Sequence, residues 1–437
     1  MKYSTTIVVL CALVSCGCNQ TTVESAVPVL AELPSIQLSE QLASLVGPSL
    51  DSFARLIDDA SIVAIGESRH DTKEQFEAKA LLSRTLISDF GFRVVIFEES
   101  FTHALALDAY VTTGQGDIQS ILNDLAGWYL WDTEEMVVFI DWIRQFNEAV
   151  PRDEMVRVFG MDITAPALGI SHAAKAADKL DPSRGWVELD YGLGLHVGDY
   201  WPETLERYSQ LPGDRVEEIA GNLEELRATL AVRATSSDSS VEERLAAIEA
   251  EIGKRAHDMF SSDGIADVGA VRERGMAHAV ERITEHVGGT LRTIVWTHNL
   301  HAAKSSFRMP QMVDGDLIPM GVLLKRMYGG NYLAIGGTFG EGAFPQYLPP
   351  GERTFARPSI DTVDGAFAQL GHSATLLNLV GIAESSPALK WLSEDREWRM
   401  QDTVAVLSPA KSFDAIYFVD QVSRAQPTPL ALQKFRE

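Results

Sequence analysis

Three short segments of this 437-residue chain carry acids and histidines directly after apolar, β-branched runs. Gly66-Glu67-Ser68-Arg69-His70 follows Ser61-Ile62-Val63-Ala64-Ile65, and Glu98-Glu99 follows Arg93-Val94-Val95-Ile96-Phe97. His298-Asn299-Leu300-His301 follows Thr293-Ile294-Val295-Trp296-Thr297. An imidazole that titrates near neutrality suits proton abstraction from water, and a carboxylate beside it fixes its tautomer and raises its basicity. A second imidazole or a cation can stabilise an oxyanion as it forms. His70 with Glu67 or Glu98, joined by His298 and His301, meets those needs without a side-chain nucleophile. The same residue types ligate zinc or iron, so a metal site is the alternative reading of the cluster. A single histidine near a strand end more often bonds only to loop backbone. Several of them, with acids, at converging strand ends argue for a site.

The elements that must position these residues follow from the pattern. Short β-branched runs alternating with helical stretches predict buried parallel strands, and ligands of such sheets bind outside the strands' carboxyl ends. The stretch Thr72 to Phe90 predicts a helix, with Thr72 and Gln75 as a capping box and Gly91 as its stop. Strand, helix and strand in that order form a βαβ unit with a right-handed crossover. A second helix is predicted over Thr133 to Ala149, then a strand over Met155 to Gly160 that delivers Asp162, a further acid at a strand end. From about residue 183 to 287 the texture is charged and helical, punctuated by Ser236-Ser237-Asp238-Ser239-Ser240. Strands resume at Leu291 to Thr297, Tyr332 to Gly336 and Ala415 to Val419. The glycine-rich Gly337-Thr338-Phe339-Gly340-Glu341-Gly342 does not match a dinucleotide fingerprint and reads as a turn. The expected fold is α/β: a mostly parallel central sheet flanked by helices, with a helical insertion forming a lid-like subdomain.

The first residues predict export. Lys2 supplies a positive start, Ile7 to Val14 is apolar but too short to span a bilayer, and Leu13-Val14-Ser15-Cys16 resembles a bacterial lipobox. Residues 1–15 would be the signal peptide, Cys16 the acylated mature N-terminus, 16–35 a tether and 36–437 the folded domain. Acyl chains on Cys16 would anchor the protein to a membrane at the cell envelope, and Gly17 provides no acidic retention signal, which points to the outer membrane. All three cysteines, Cys11, Cys16 and Cys18, fall in this segment, so the body has no thiolate chemistry and no disulfide. With 37 basic against 61 acidic residues the net charge is −24, which argues against a nucleic-acid surface. The sequence carries no signal of oligomeric state.

Familiar hydrolase signatures are absent. Gly66-Glu67-Ser68-Arg69-His70 and Gly371-His372-Ser373-Ala374-Thr375 both fail the last position of a nucleophile elbow, and neither a His-Glu-x-x-His helix nor a Walker loop occurs. The chain instead resembles the erythromycin esterase family, in which Gly-Glu-x-x-His opens the core and Trp-x-His-Asn-x-His closes it. The likeness runs from about Ile62 to Gly342. It includes Glu74, Gly91-Phe92, Glu98, Trp131-Asp132-Thr133-Glu134, Gly160-Met161-Asp162, Arg272, Met276-Ala277, the Trp296 to His301 segment and Met320-Gly321.

The resemblance implies hydrolysis of a carboxylic ester or lactone by an activated water, with no metal or other cofactor. By position it implies His70 as general base, Glu67 and Glu98 in support, His298 as acid or oxyanion stabiliser and His301 lining the site. Lys79, Glu74, Arg69 and Asp162 are candidates to contact substrate. Three departures bear on which ester is cleaved. Asp71 stands where the family often has Gly, Lys79 where it has Arg, and Ala279 where Asn is usual. A macrolide is therefore one candidate substrate among several. The rival classes are a metal- or haem-binding envelope protein, a metal-dependent hydrolase using the same cluster, and a hydrolase remnant serving as scaffold.

Overall fold

The computed structural model describes residues 30–31, 35–38, 48–57, 59–196, 201–347 and 350–436. The expected signal peptide, Cys16 and most of the tether lie outside the described residues. Thirteen strands are described: β1 (Ser35–Gln37), β2 (Ile62–Ile65), β3 (Phe92–Ser100), β4 (Arg157–Asp162), β5 (Arg292–Trp296), β6 (Phe307–Arg308), β7 (Asp316–Leu317), β8 (Tyr332–Tyr347), β9 (Pro350–Phe355), β10 (Ala374–Asn378), β11 (Arg396–Met400), β12 (Thr403–Leu407) and β13 (Ala415–Val422). The main sheet runs β1-β10-β13-β8-β2-β5-β3-β4, with β9 folded back on β8. From β13 to β4 every pairing is parallel, and β1, β10 and β9 join antiparallel. A small antiparallel sheet, β11-β12-β6-β7, stands apart. This is an α/β fold with a mostly parallel mixed sheet.

The apolar runs are continuous because helices cover both faces of the sheet. Ile62, Ala64, Val94 and Ile96 pack on one side with Met276, Val280 and Ile283 of the helix Ile265–His286. Their neighbours Val63, Ile65, Val95 and Phe97 pack on the other with Phe76 and Leu82 of Lys73–Phe90 and Phe139 and Ile143 of Glu134–Glu148. The strand period of two thus divides the core. Helical structure between β4 and β5 starts earlier than the expected residue 183. The helix Ala167–Leu180 already belongs to it, because Ile170, Ala173 and Ala177 share a separate core with Leu223 and Leu226 of Gly213–Ala234 and Ala250 of Val241–Phe260. The serine-rich break ends in a capping box between Ser240 and Glu243.

Two local expectations are corrected. Thr72 and Gln75 do not form a capping box. Gln75 Oε1 instead accepts from the backbone N–H of Ser68 at 3.0 Å, while its Nε2 donates to Thr72 Oγ1 at 2.7 Å, so the side chain braces the loop after β2. The glycine run 337–342 is not a turn but the middle of β8. A Cβ at Gly337 would meet the Tyr417 hydroxyl, and one at Gly340 or Gly342 would meet the carbonyl oxygens of Asp420 or Val422 on β13. Glycine inside a strand marks such close approach. The space at Gly337 lets Tyr417 cross β8 and donate to the carbonyl of Gly66 at 2.8 Å. Gly342→Ala is expected to destabilise the protein by about 1–3 kcal/mol through overpacking. Gly351→Ala on β9, where a Cβ meets nothing within 4 Å, should change little. Thermal unfolding of both variants checks this, and equal melting temperatures would contradict it.

Candidate active site

The carboxyl ends of β2, β5, β3 and β4 lie side by side, so Glu67, His298, Glu98 and Asp162 arrive at one edge of the sheet. Beyond that edge is a cavity of about 290 Å³, lined among others by His70, Glu98, Tyr129, Asp162, Arg272 and His301. Trp201, from the helix Trp201–Ser209 of the helical region, contributes to its wall.

The loop after β2 sets His70. Glu67 is fully buried, and its Oε1 lies 2.8 Å from His70 Nδ1. Its Oε2 accepts from Lys79 Nζ, which also donates to the carbonyl of Thr297 at 3.0 Å, and burial pulls the Lys79 pKa well below its ordinary value. A carboxyl oxygen of Glu67 at Nδ1 favours the His70 tautomer with its proton there, which leaves Nε2 open. Burial pushes the His70 pKa down, with the Glu98 carboxylate opposing.

Glu98 accepts four hydrogen bonds. Thr297 Oγ1 at 2.7 Å and the backbone N–H of His298 at 2.9 Å bind Oε2; Arg272 Nη2 at 3.0 Å and His301 Nε2 at 3.1 Å bind Oε1. Burial would raise its pKa, but the His301 charge and hydrogen bond, then His70 and Arg272, hold it well below the usual carboxylate range. Arg272 also binds Asp162 through Nε at 3.1 Å and Nη2 at 2.8 Å. On its far side His301 meets Glu273 Oε1 at 2.5 Å. Against the downward pull of burial, Glu273 and Glu98 push the His301 pKa up to about 10. His301 is therefore an imidazolium at neutral pH.

His298 is the opposite case. Its Nε2 donates to the carbonyl of Ser68 at 3.0 Å, and its Nδ1 accepts from the N–H of Leu300 at 3.2 Å. Burial, then His70, drives its pKa well down, so the ring is neutral with both nitrogens occupied. In this arrangement it has no proton free for a departing group. It packs 4.9 Å from the His70 ring, centroid to centroid.

Other expected contacts fall outside the cavity. Lys79 is buried against Glu67. Glu74 accepts from the backbone and side chain of Ser423 at 2.6 and 2.7 Å. Arg69 pairs with Asp71 and Asp402, both at 2.7 Å, and lines a smaller neighbouring cavity. Asp71 also binds Arg424 at 3.0 Å, which gives the departure at this position a structural use. Ala279 is buried in the core.

Some site residues went unrecognised in the sequence. Glu273 and Tyr129 carry no motif of their own, and Arg272 entered only as a family match. Burial pushes the Tyr129 pKa up to about 12, so it is a neutral donor. Gln401 has a positive φ of 53°. Its N–H donates to Ser68 O at 2.7 Å, and its Oε1 accepts from the N–H of His70 at 3.1 Å. Glu99, beside Glu98, is pushed up to about 8 by burial although three backbone N–H groups at 2.8–3.1 Å bind it. No group of three or more His, Cys, Asp or Glu among the described residues is placed to hold a metal ion.

A family model described as erythromycin esterase matches residues 87–422. The chain belongs to the erythromycin esterase family. The matched span holds Glu98, Asp162, Arg272, His298 and His301, whereas Glu67 and His70 precede it. An erythromycin esterase type II from Escherichia coli is 27% identical over 317 residues, 64% of this chain and 70% of that protein. A Bacillus cereus protein of solved structure superposes with a TM-score of 0.77 at 23% identity, covering 92% of this chain and 98% of that one. A histidine-to-asparagine variant of an erythromycin esterase in its open conformation gives 0.71 at 18% identity, covering 90% and 98%. These two structural likenesses bear on the fold.

The His301 pair has a testable pH signature. A histidine whose folded pKa is raised contributes stability that is fully present below its unfolded value, near 6.5, and is lost as pH rises through about 10. Glu273→Gln should therefore destabilise the protein most at pH below 6.5 and progressively less toward pH 10. Melting temperatures of both proteins across that range check this. A difference independent of pH would contradict the charge assignment.

Proposed function

We propose that this chain is an exported hydrolase of the erythromycin esterase family that cleaves a carboxylic ester or lactone with a water activated by His70. The observation that carries the reading is the pairing of Glu67 with Nδ1 of His70, which leaves Nε2 as a base beside a cavity lined by cationic and neutral donors. Nε2 takes a proton from water as the oxygen attacks the substrate carbonyl. Arg272 and the Tyr129 hydroxyl are the donors suited to the developing oxyanion. Collapse of the tetrahedral intermediate breaks the bond to the alkoxide, which recovers the proton from His70. The lowered pKa keeps His70 unprotonated at neutral pH. Glu98 acts through Arg272 and His301 by holding their charges in place. Macrolide lactones are one substrate class that family membership brings into view.

His70→Ala should lower ester turnover by about 10²–10⁴ with an unchanged circular dichroism spectrum, whereas Glu98→Ala should lower turnover and the melting temperature together, because it leaves Arg272 and His301 without their buried partner. Macrolides, lactones and aryl esters, assayed with and without a chelator, form the panel. A variant that keeps near-wild-type rates on a proven substrate would sink the mechanism, and activity lost only with chelator would favour the metal-dependent rival.

The same reading places the enzyme at the bacterial cell envelope. Lys2, the short apolar segment and Leu13-Val14-Ser15-Cys16 support cleavage before Cys16 and acylation of its sulfur. Among the described residues no helix is long and apolar enough to cross a membrane. Mass spectrometry of the native N-terminus should find a lipid-modified Cys16. An unmodified N-terminus in a soluble fraction would refute the anchor and leave the proposed hydrolysis standing.

A further inference from the structure

A second cavity, of about 530 Å³, adjoins the first and shares Leu300 and His301 with it. Phe307, Met309 and Leu317 line it together with Ala266, Gly269 and Ala270 of the helix Ile265–His286, and charged side chains including Arg274, Asp314 and Arg326 also border it. Glu273 also lines it, with its oxygens taken by His301 at 2.5 Å and by the N–H of Met320 at 2.7 Å. The smaller cavity is of mixed polarity and is lined by His70, Glu98 and Arg272; the larger one has the greater apolar share.

Gly269 lies in the wall of this cavity. Its φ is not positive, and a Cβ there would meet nothing within 4 Å. Gly275 on the same helix differs, since a Cβ would strike Ile163. Glycine inside a helix is disfavoured relative to alanine, and neither packing nor backbone conformation calls for it at 269. A larger side chain there would have free space beside the cavity.

We propose that this second cavity binds the apolar alkyl or acyl chain of the ester or lactone whose carbonyl reacts at His70, a subsite that rests on the hydrolase reading above. The shared wall at Leu300 and His301 brings the chain and the reacting carbonyl to adjoining spaces. Apolar walls select by buried methylenes, each worth about fourfold in affinity.

The test combines binding and turnover. Wild-type protein should bind 1-decanol far more tightly than 1-butanol by calorimetry, and 1-decanol should compete with turnover of p-nitrophenyl decanoate. Gly269→Phe and, independently, Ala270→Phe should weaken 1-decanol binding at least ~tenfold, since a filled cavity forfeits several buried methylenes. Both should lower kcat/KM for the decanoate ester similarly and leave p-nitrophenyl acetate turnover and the melting temperature unchanged. Equal binding of 1-decanol by wild type and both variants would overturn the subsite. Binding that does not compete with the decanoate ester would overturn its link to substrate. Failure of the wild type to turn over either ester would count against the hydrolase reading, while loss of 1-decanol binding in the variants would still assign the cavity to an apolar chain.

Discussion

The buried carboxylate of Glu98 is the interaction on which this site depends. It joins β3 to β5 through Thr297 and the N–H of His298, and both to the helix Ile265–His286 through Arg272. An anion in a buried place is tolerated only when several donors compensate it. Here two neutral donors from the next strand and two cationic side chains do so. Removing the carboxylate would leave Arg272 and His301 with excess charge in a dry place, and breaking a buried pair by taking one partner is strongly destabilising.

Around that anion, three histidines share one sheet edge yet differ in charge because their partners differ. His301 lies between two carboxylates and is cationic, His298 lies between two backbone groups and is neutral, and His70 has one carboxylate and one open nitrogen. Environments that push titratable groups apart assign their roles. The proposed mechanism gives positive charge, placement and proton transfer to separate rings. The loop after β2 is braced from several directions: Gln75 and Gln401 hold its backbone, and Tyr417 holds Gly66. In the proposed mechanism such support would hold His70 in reach of the reacting water.

The parallel strands and the acids and histidines at their ends were legible in the sequence because β-branched runs and strand-end chemistry are local signals. Expected strands over 61–65, 93–97 and 291–297 correspond to β2, β3 and β5. What escaped has a common cause in contacts between distant residues. The glycines of β8 imitate a turn until Tyr417 and the β13 carbonyls are seen against them. Gln75 looks like a capping residue because nothing local says that Ser68 will claim it. Arg272 reaches Glu98 across 174 positions, and Gln401 reaches His70 across 331. No periodicity records such pairings. The earlier start of the helical region, at Ala167, was hidden because an alanine-rich helix after β4 fits either a crossover or the separate core it joins.

Nitrogen-15 NMR of the imidazoles tests the central claim most directly, because ring shifts report protonation and tautomer together. Near neutral pH the account predicts His301 doubly protonated, His298 neutral with its proton on Nε2, and His70 neutral with its proton on Nδ1, titrating below the ordinary histidine value. In Glu98→Gln the His301 pKa should fall, since one of its two carboxylate partners is gone. A neutral His301 in the wild type, or a His298 that titrates as a free imidazole, would contradict the account.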